Sequence, residues 1–326
     1  MHNLKAPVIK VEMNTTKHLS QSLAESITKA GSRQTYYTIR LLVDRPLVAD
    51  AFRAYGYFRW VDDIIDGLPG TTQALGKAEA LEKIAFINRQ KALLEACYHG
   101  VISSDLCPEE YMLVDLVRNN SGENPGLQSY LRNMMAVMEF DAGRRGRVIS
   151  QAELTEYSRL LAAAVTDALY YFIGHDNPPP SQETRYLPVI AAHITHMLRD
   201  TVEDVEVGYY NIPIEYLQAH GISESAIESQ AYRKWVCVRI RLARSYFRAG
   251  WQSLSQVRNL RCRLAGFAYM ARFDWVLYAI ERDNYCLRAG YSQRKGLYAG
   301  LWMVWKTMRS MLASLWVKDQ SHHPVT

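Results

Sequence analysis

Apolar residues recur every three or four positions through long blocks of this 326-residue chain, as in "LEKIAFINRQKALLEACYHG", "ELTEYSRLLAAAVTDALYYFIG" and "AYMARFDWVLYAIERDNYCL". A period near 3.6 brings such positions onto one face of an α-helix, whereas the strict alternation of a half-buried strand is hard to find. The breaks between blocks are short and marked by Gly, Pro and Asn: "GLPGTT", "NNSGENPG", "GHDNPPPSQ" and "GYYNIP". None is long enough to be a linker, and no repeat or low-complexity tract interrupts the pattern. The expectation is a single all-α domain of about ten helices over residues 19–326, with residues 1–18 as a flexible N-terminal tail. At 48% hydrophobic residues the chain can bury a core of that size.

Charge and cysteine content narrow the setting without choosing a partner. The 38 Lys and Arg exceed the 33 Asp and Glu by five, which suits an anionic small molecule or a membrane surface as well as nucleic acid. Five cysteines, odd in number and without a C-x-x-C pair, suggest neither a disulfide framework nor a structural zinc site. No signal-peptide-like apolar run opens the sequence and no window offers the roughly 20 apolar residues of a membrane span. A cytoplasmic protein is expected.

The acidic residues carry the chemistry. In "YFRWVDDIIDG", Asp62 and Asp66 are four residues apart, so a helix sets both carboxylates on one face about 6 Å apart along its axis, with Asp63 directed elsewhere. Like charges at that spacing repel, which calls for a cation, either arginine or metal. A solvated helix end would be the ordinary reading of a lone D-x-x-x-D, but here "FRW" and "II" surround the acids. The device recurs in "HMLRDTVEDVEVG", where Asp200 and Asp204 are again four apart after Arg199. Four carboxylates from two facing helices would make a hard, oxygen-rich site suited to Mg²⁺ and, through it, to a diphosphate.

These residues resemble the squalene and phytoene synthases, which join two isoprenoid diphosphates head to head. The family's Tyr-x-x-x-Arg-x-x-Asp-Asp-x-x-Asp motif is similar to Tyr55, Arg59, Asp62, Asp63 and Asp66. Its diphosphate-binding loop resembles "SRQTYYTIRLL", with Thr35 and Tyr36 in the matching places. Its second motif resembles His196, Arg199, Asp200, Asp204, Gly208 and Pro213, and its terminal basic segment resembles "NYCLRAGYSQRKG", with Arg288 and Lys295. The similarity runs over residues 32 to 300. It implies an isoprenoid-synthase-type helical bundle with a central cavity and a prenyltransferase that ionises farnesyl or geranylgeranyl diphosphate and condenses it with a second prenyl diphosphate. It also implies two or three Mg²⁺ ions on Asp62, Asp66, Asp200 and Asp204, and diphosphate contacts from Thr35, Tyr36, Tyr55, Arg59, His193, Arg199 and Arg288. No nucleic-acid partner is expected. NADPH is used by some relatives, but no sequence fingerprint supports it here, and the oligomeric state is open.

Several positions depart from the family pattern. His193 and His196 stand where Gln and Asn are usual, and with Asp200 and Asp204 they follow steps of three, four and four along one helix face. His196 is the better candidate for a catalytic role; His193 is as readily a buried histidine satisfied by its neighbours. Tyr209 and Asn211 occupy the "GRxYxP" region, Ala163 and Thr166 replace paired glycines beside the prenyl tunnel, and Phe273 replaces a tyrosine at its border. Arg144, Arg145 and Arg147 follow Asp141 as an anion clamp or, more simply, a solvated loop. Altered surroundings leave open a terpene cyclase or transfer to a non-prenyl acceptor, and a non-catalytic assembly factor on the same fold. In "GLYAGLWMVWKTMRSMLASLW", Leu301, Trp305, Met308 and Leu312 follow core spacing, and Trp302 and Trp316 are candidates for peripheral membrane contact.

Overall fold

A computed structural model describes the backbone of residues 6–67, 76–120, 124–174, 182–291 and 296–321, and side chains within these from residue 18 to 67, 81 to 120, 124 to 174, 182 to 291 and 296 to 315. The fold is all-α. Among the described residues there is no strand, and one isolated bridge joins Val148 to Tyr210. The chain clusters into two compact units, Met1–Gly143 and Arg144–Thr326.

The first unit contains α1 (Ala6–Gly31), α2 (Arg33–Leu42), α3 (Val48–Asp66), α4 (Gly76–Tyr98), α5 (Glu110–Asn119) and α6 (Pro125–Arg144), whose last residue opens the second unit. Residues 6–18, expected as a tail, form the first turns of α1. Helix α3 is central: Phe52, Tyr57, Val61 and Ile65 on it are fully or almost fully buried, each such side chain contributing about 1.5 to 3 kcal/mol. At Gly56 a Cβ would lie 3.0 Å from Ala24 Cα, so this glycine lets α1 and α3 approach backbone to backbone. Polar groups tie the same helices. Asp50 accepts from Arg53 at 2.8 Å and from Asn119 at 2.9 Å, while Ser20 accepts from Arg53 at 3.1 Å and donates to Asp115 at 2.6 Å.

The second unit contains α7 (Gln151–Phe172), α8 (Leu187–Glu206), α9 (Ile214–His220), α10 (Gln230–Ser255), α11 (Leu260–Arg282) and α12 (Leu297–Ser321). Ser150 and Glu153 form a reciprocal capping box that starts α7. Helix α8 packs between α7 and α10 and also touches α11. A Cβ at Gly250 of α10 would come within 2.3 Å of Pro188 Cγ, so a glycine is required where α10 crosses the first turn of α8.

Helix α12 reverses the face expected of it. Leu301, Trp305, Met308 and Leu312 are 51–61% exposed, and Ala299, Thr307 and Ser314 are buried instead. Small side chains let α12 sit closely on α11, with Trp302 turned against Trp275 at 5.4 Å between ring centroids. The larger apolar stripe is left at the surface, and close packing selected the face of small residues. The side chain of Trp316 lies outside the described residues.

Candidate active site

In the first unit, the core face of α3 sets Asp62, Asp63 and Asp66 at its rim, just before the helix stops at Gly67 with φ 78°. Arg59 reaches Asp62 at 3.2 Å and also pairs with Asp63. Asp63, expected to point away from the Asp62–Asp66 face, is the more exposed of the two acids that Arg59 reaches, three and four residues on. A single arginine does not balance the cluster. Burial and then the Asp66 charge push the Asp62 carboxyl up to about 7, against the opposing pull of Arg59. Burial and Asp141 raise Asp66 as well. Tyr55, one turn before Arg59, contributes to the field at that guanidinium.

The matching upstream residues lie on α2. Ser32 caps this helix by accepting from the Thr35 N–H at 3.2 Å, and the Thr35 hydroxyl donates to the same oxygen at 2.9 Å. Tyr36 donates to Glu25 at 3.0 Å and packs on Phe52. Both residues are therefore fixed by their own helix terminus and by α1.

In the second unit, α8 carries His193, His196, Arg199, Asp200 and Asp204. His193 is buried against α7, where its ring meets Tyr157 edge-on and Nδ1 lies 3.0 Å from Ser158 Oγ. The Ser158 hydroxyl donates to Leu154 O at 2.9 Å, so His193 Nδ1 carries the proton and Nε2 is left as an acceptor. Burial lowers its pKa well below the ordinary range. His196 is more open, with Nε2 2.9 Å from Asp200 Oδ2. Burial works to lower its pKa while the Asp200 contact works to raise it, and the net direction is down.

The two acids of the second motif differ in kind. Burial works to raise Asp200, but the fork of Arg199 and the His196 contact overcome it and hold the group ionised, well below the carboxylate range. Burial and the charge of Asp200 push Asp204 up to about 7. Asn211 donates to Asp204 at 2.8 Å and accepts from Arg144 at 2.9 Å. Arg144 was read as part of a solvated loop; it is 8% exposed and sandwiched between the rings of Tyr157 and Tyr209. Arg145 and Arg147 do lie at the surface, bound to Val207 O and Glu153. Sequence reasoning missed Tyr157 and Ser158 altogether. Their signal was their place on the apolar stripe of α7, which marks burial and not polarity.

Arg288 follows α11 in a turn where Asn284 and Tyr285 take φ of 52° and 61°. It pairs with Asp283 at 3.1 Å and lies over Tyr291. The Gly290 N–H donates to Glu203 at 2.7 Å, binding this loop to α8 one residue before Asp204. Lys295 lies outside the described residues. Phe273 on α11 is buried, 6.4 Å from the His196 ring. Ala163 is partly buried on α7, and Thr166 is buried with no hydrogen-bond partner for its hydroxyl among the described residues.

The squalene/phytoene synthase family model matches residues 28–296. The chain belongs to this family. It is 22% identical over 222 residues to a bifunctional lycopene cyclase/phytoene synthase of Arthroderma gypseum, covering 64% of this chain but 37% of that protein. It is 26% identical over 222 residues to the presqualene diphosphate synthase of Zymomonas mobilis, covering 65% of this chain and 67% of that protein. Among solved structures, squalene synthase HpnC of Alicyclobacillus acidocaldarius superposes with a TM-score of 0.62 at 16% identity, over 82% of this chain and 95% of that one. That likeness shows the isoprenoid-synthase fold. No helix among the described residues is long and apolar enough to cross a membrane.

Proposed function

We propose that this family member is a Mg²⁺-dependent prenyltransferase that ionises an allylic prenyl diphosphate, farnesyl or geranylgeranyl, and condenses it head to head with a second. The observation that carries the reading is the pair of carboxylates, four residues apart, that α3 and α8 each hold in a partly desolvated setting. Asp62, Asp66 and Asp204 are raised by burial and by neighbouring acids that the nearby arginines do not offset. Hard carboxylate oxygens in that condition fit Mg²⁺. Among the described residues no three His, Cys, Asp or Glu side chains gather closely enough to hold an ion by themselves. An ion on either pair would therefore complete its shell with water and substrate phosphate, the usual habit of Mg²⁺.

Bound Mg²⁺ would neutralise charge on the departing diphosphate. The chain's own groups do the rest. Arg59, held at the rim of α3, would orient a diphosphate, together with Thr35, Tyr36 and Tyr55. Arg199 and His196 keep Asp200 ionised and aimed, and Asn211, itself held by Arg144, orients Asp204. Arg288 would add a further contact from the loop fastened to Glu203. Phe273, Ala163 and Thr166 would border the prenyl chains.

The test is incubation of the purified protein with Mg²⁺ and each common prenyl diphosphate, with diphosphate release and product identity measured together. A C30 or C40 head-to-head product is expected. Diphosphate release ending in a cyclic or non-prenyl product would replace condensation with another fate of the cation, and no metal-dependent release would overturn the catalytic reading.

A further inference from the structure

Helix α10 carries an arginine that no acid matches. Arg239 lies on the buried stripe that includes Tyr232, Trp235, Val236, Ile240 and Ala243, and it is itself partly buried. Its guanidinium sits over the Trp235 ring, 5.9 Å from the centroid. Burial lowers its pKa and Tyr246 alone opposes that, with no carboxylate contributing. Among the described residues it forms no ion pair. Two other arginines of this region differ: Arg199 is paired with Asp200, and Arg244 with Asp274 and Glu281.

The packing of α10 on α8 locates the charge. Gly250 lies against Pro188, while the Tyr232 hydroxyl lies close to Thr201 and within the field of Asp204. The two helices therefore run antiparallel, and Arg239 falls level with the stretch of α8 between Ile194 and Arg199. Its charge is felt at His193. The wall formed there carries the rings of His193 and His196 and the Arg239 guanidinium, with the charge of Asp200 already taken up by Arg199; Arg144 and Arg272 also act on these histidines. A planar cation in a desolvated setting is suited to an oxyanion, which its fork can bind with two parallel hydrogen bonds.

We propose that Arg239 is the anchor of a metal-independent oxyanion site in the second unit, taking the phosphate or carboxylate group of a ligand that lies along the α8–α10 wall. The site is distinct from the aspartate pairs and does not depend on the prenyltransferase reading. The cation–π contact with Trp235 holds the guanidinium in place while the anion is absent.

The experiment is equilibrium binding to the full-length protein in EDTA, with inorganic diphosphate and laurate as separate probes. Wild type, Arg239→Gln, Arg239→Lys and Asp62→Asn are compared. Wild type and Asp62→Asn should bind at least one probe equally well, Arg239→Gln at least tenfold more weakly, and Arg239→Lys between them. The probe that binds tells a phosphate ligand from a carboxylate one. Without ligand, Arg239→Gln should melt no lower than wild type, because it removes an unmatched charge, and the bound probe should raise the Tm of wild type but not of Arg239→Gln. Binding of both probes by Arg239→Gln within twofold of wild type would overturn the proposal. So would failure of wild type to bind either probe, or a lowered Tm in Arg239→Gln that Arg239→Lys restores without any difference in binding. Because Asp62→Asn keeps this metal-free binding while losing metal-dependent turnover, failure of the anion site and failure of the proposed activity read out separately.

Discussion

Asp62 and Asp204 share one electrostatic condition in two different units. Each is partly buried, each has an acid four residues away, and each is pushed up to about 7. Between the ordinary value of 3.8 and about 7 the folded protein retains a proton that the unfolded chain has released. Stability therefore falls as pH rises through that window, and above it the folded state carries the full cost of the ionised pair. Asp62→Asn removes that cost. In metal-free protein it should raise Tm at pH 8 and leave it unchanged near pH 4, as followed by thermal melts. The same substitution should lower Mg²⁺-dependent diphosphate release by about a hundredfold or more, the scale of losing one charge-stabilising group. A variant with wild-type release would remove Asp62 from the site.

At the scale of the element, α7 shows how a local device sets a distant residue. Ser150 and Glu153 satisfy each other's backbone N–H groups at the start of the helix, and Arg147 adds a charge to Glu153. This fixes the phase in which Tyr157 and Ser158 meet His193. The Ser150 N–H and then Arg147 pull Glu153 down to about 2 from an ordinary 4.5. The stability this lends is complete above 4.5 and is lost as pH falls through about 2. Ser150→Ala should cost about 1 kcal/mol at pH 7. The gap in urea midpoint between wild type and Glu153→Gln should close as pH drops from 5 to 2.

At the scale of the whole molecule, each unit is held by polar groups that only the tertiary fold could bring together. In the first, Arg53 on α3 joins Asp50 to Ser20 of α1, while Asn119 and Asn120 at the end of α5 complete the shell around Asp50. Arg53→Met would leave the Asp50 charge buried without its cation, at a cost of about 3 to 5 kcal/mol. Denaturation in urea should show that loss, and Asp50→Leu combined with Arg53→Met should recover part of it. A single-variant cost below 1 kcal/mol would show that the asparagines suffice.

What the sequence determined by itself is what a helix makes local. The 3.6 period gave the all-α class, and steps of three and four placed Asp62 with Asp66, and His196 with Asp200 and Asp204, whatever the rest of the chain did. The motif spacing also carried the family. What only the tertiary structure decided depended on the far side of each contact. Arg144 follows Asp141 in a segment that reads as a loop, and it is buried because Tyr157, Tyr209 and Asn211 close around it from separate elements. His193 was equally a ligand or a core residue until Ser158 supplied its partner. Helix α12 holds an apolar stripe and a face of small residues of the same period, and the small face packed because α11 offered a close surface to Ala299, Thr307 and Ser314. A period states that a face exists; which face is buried is decided by the shape of the neighbour it meets.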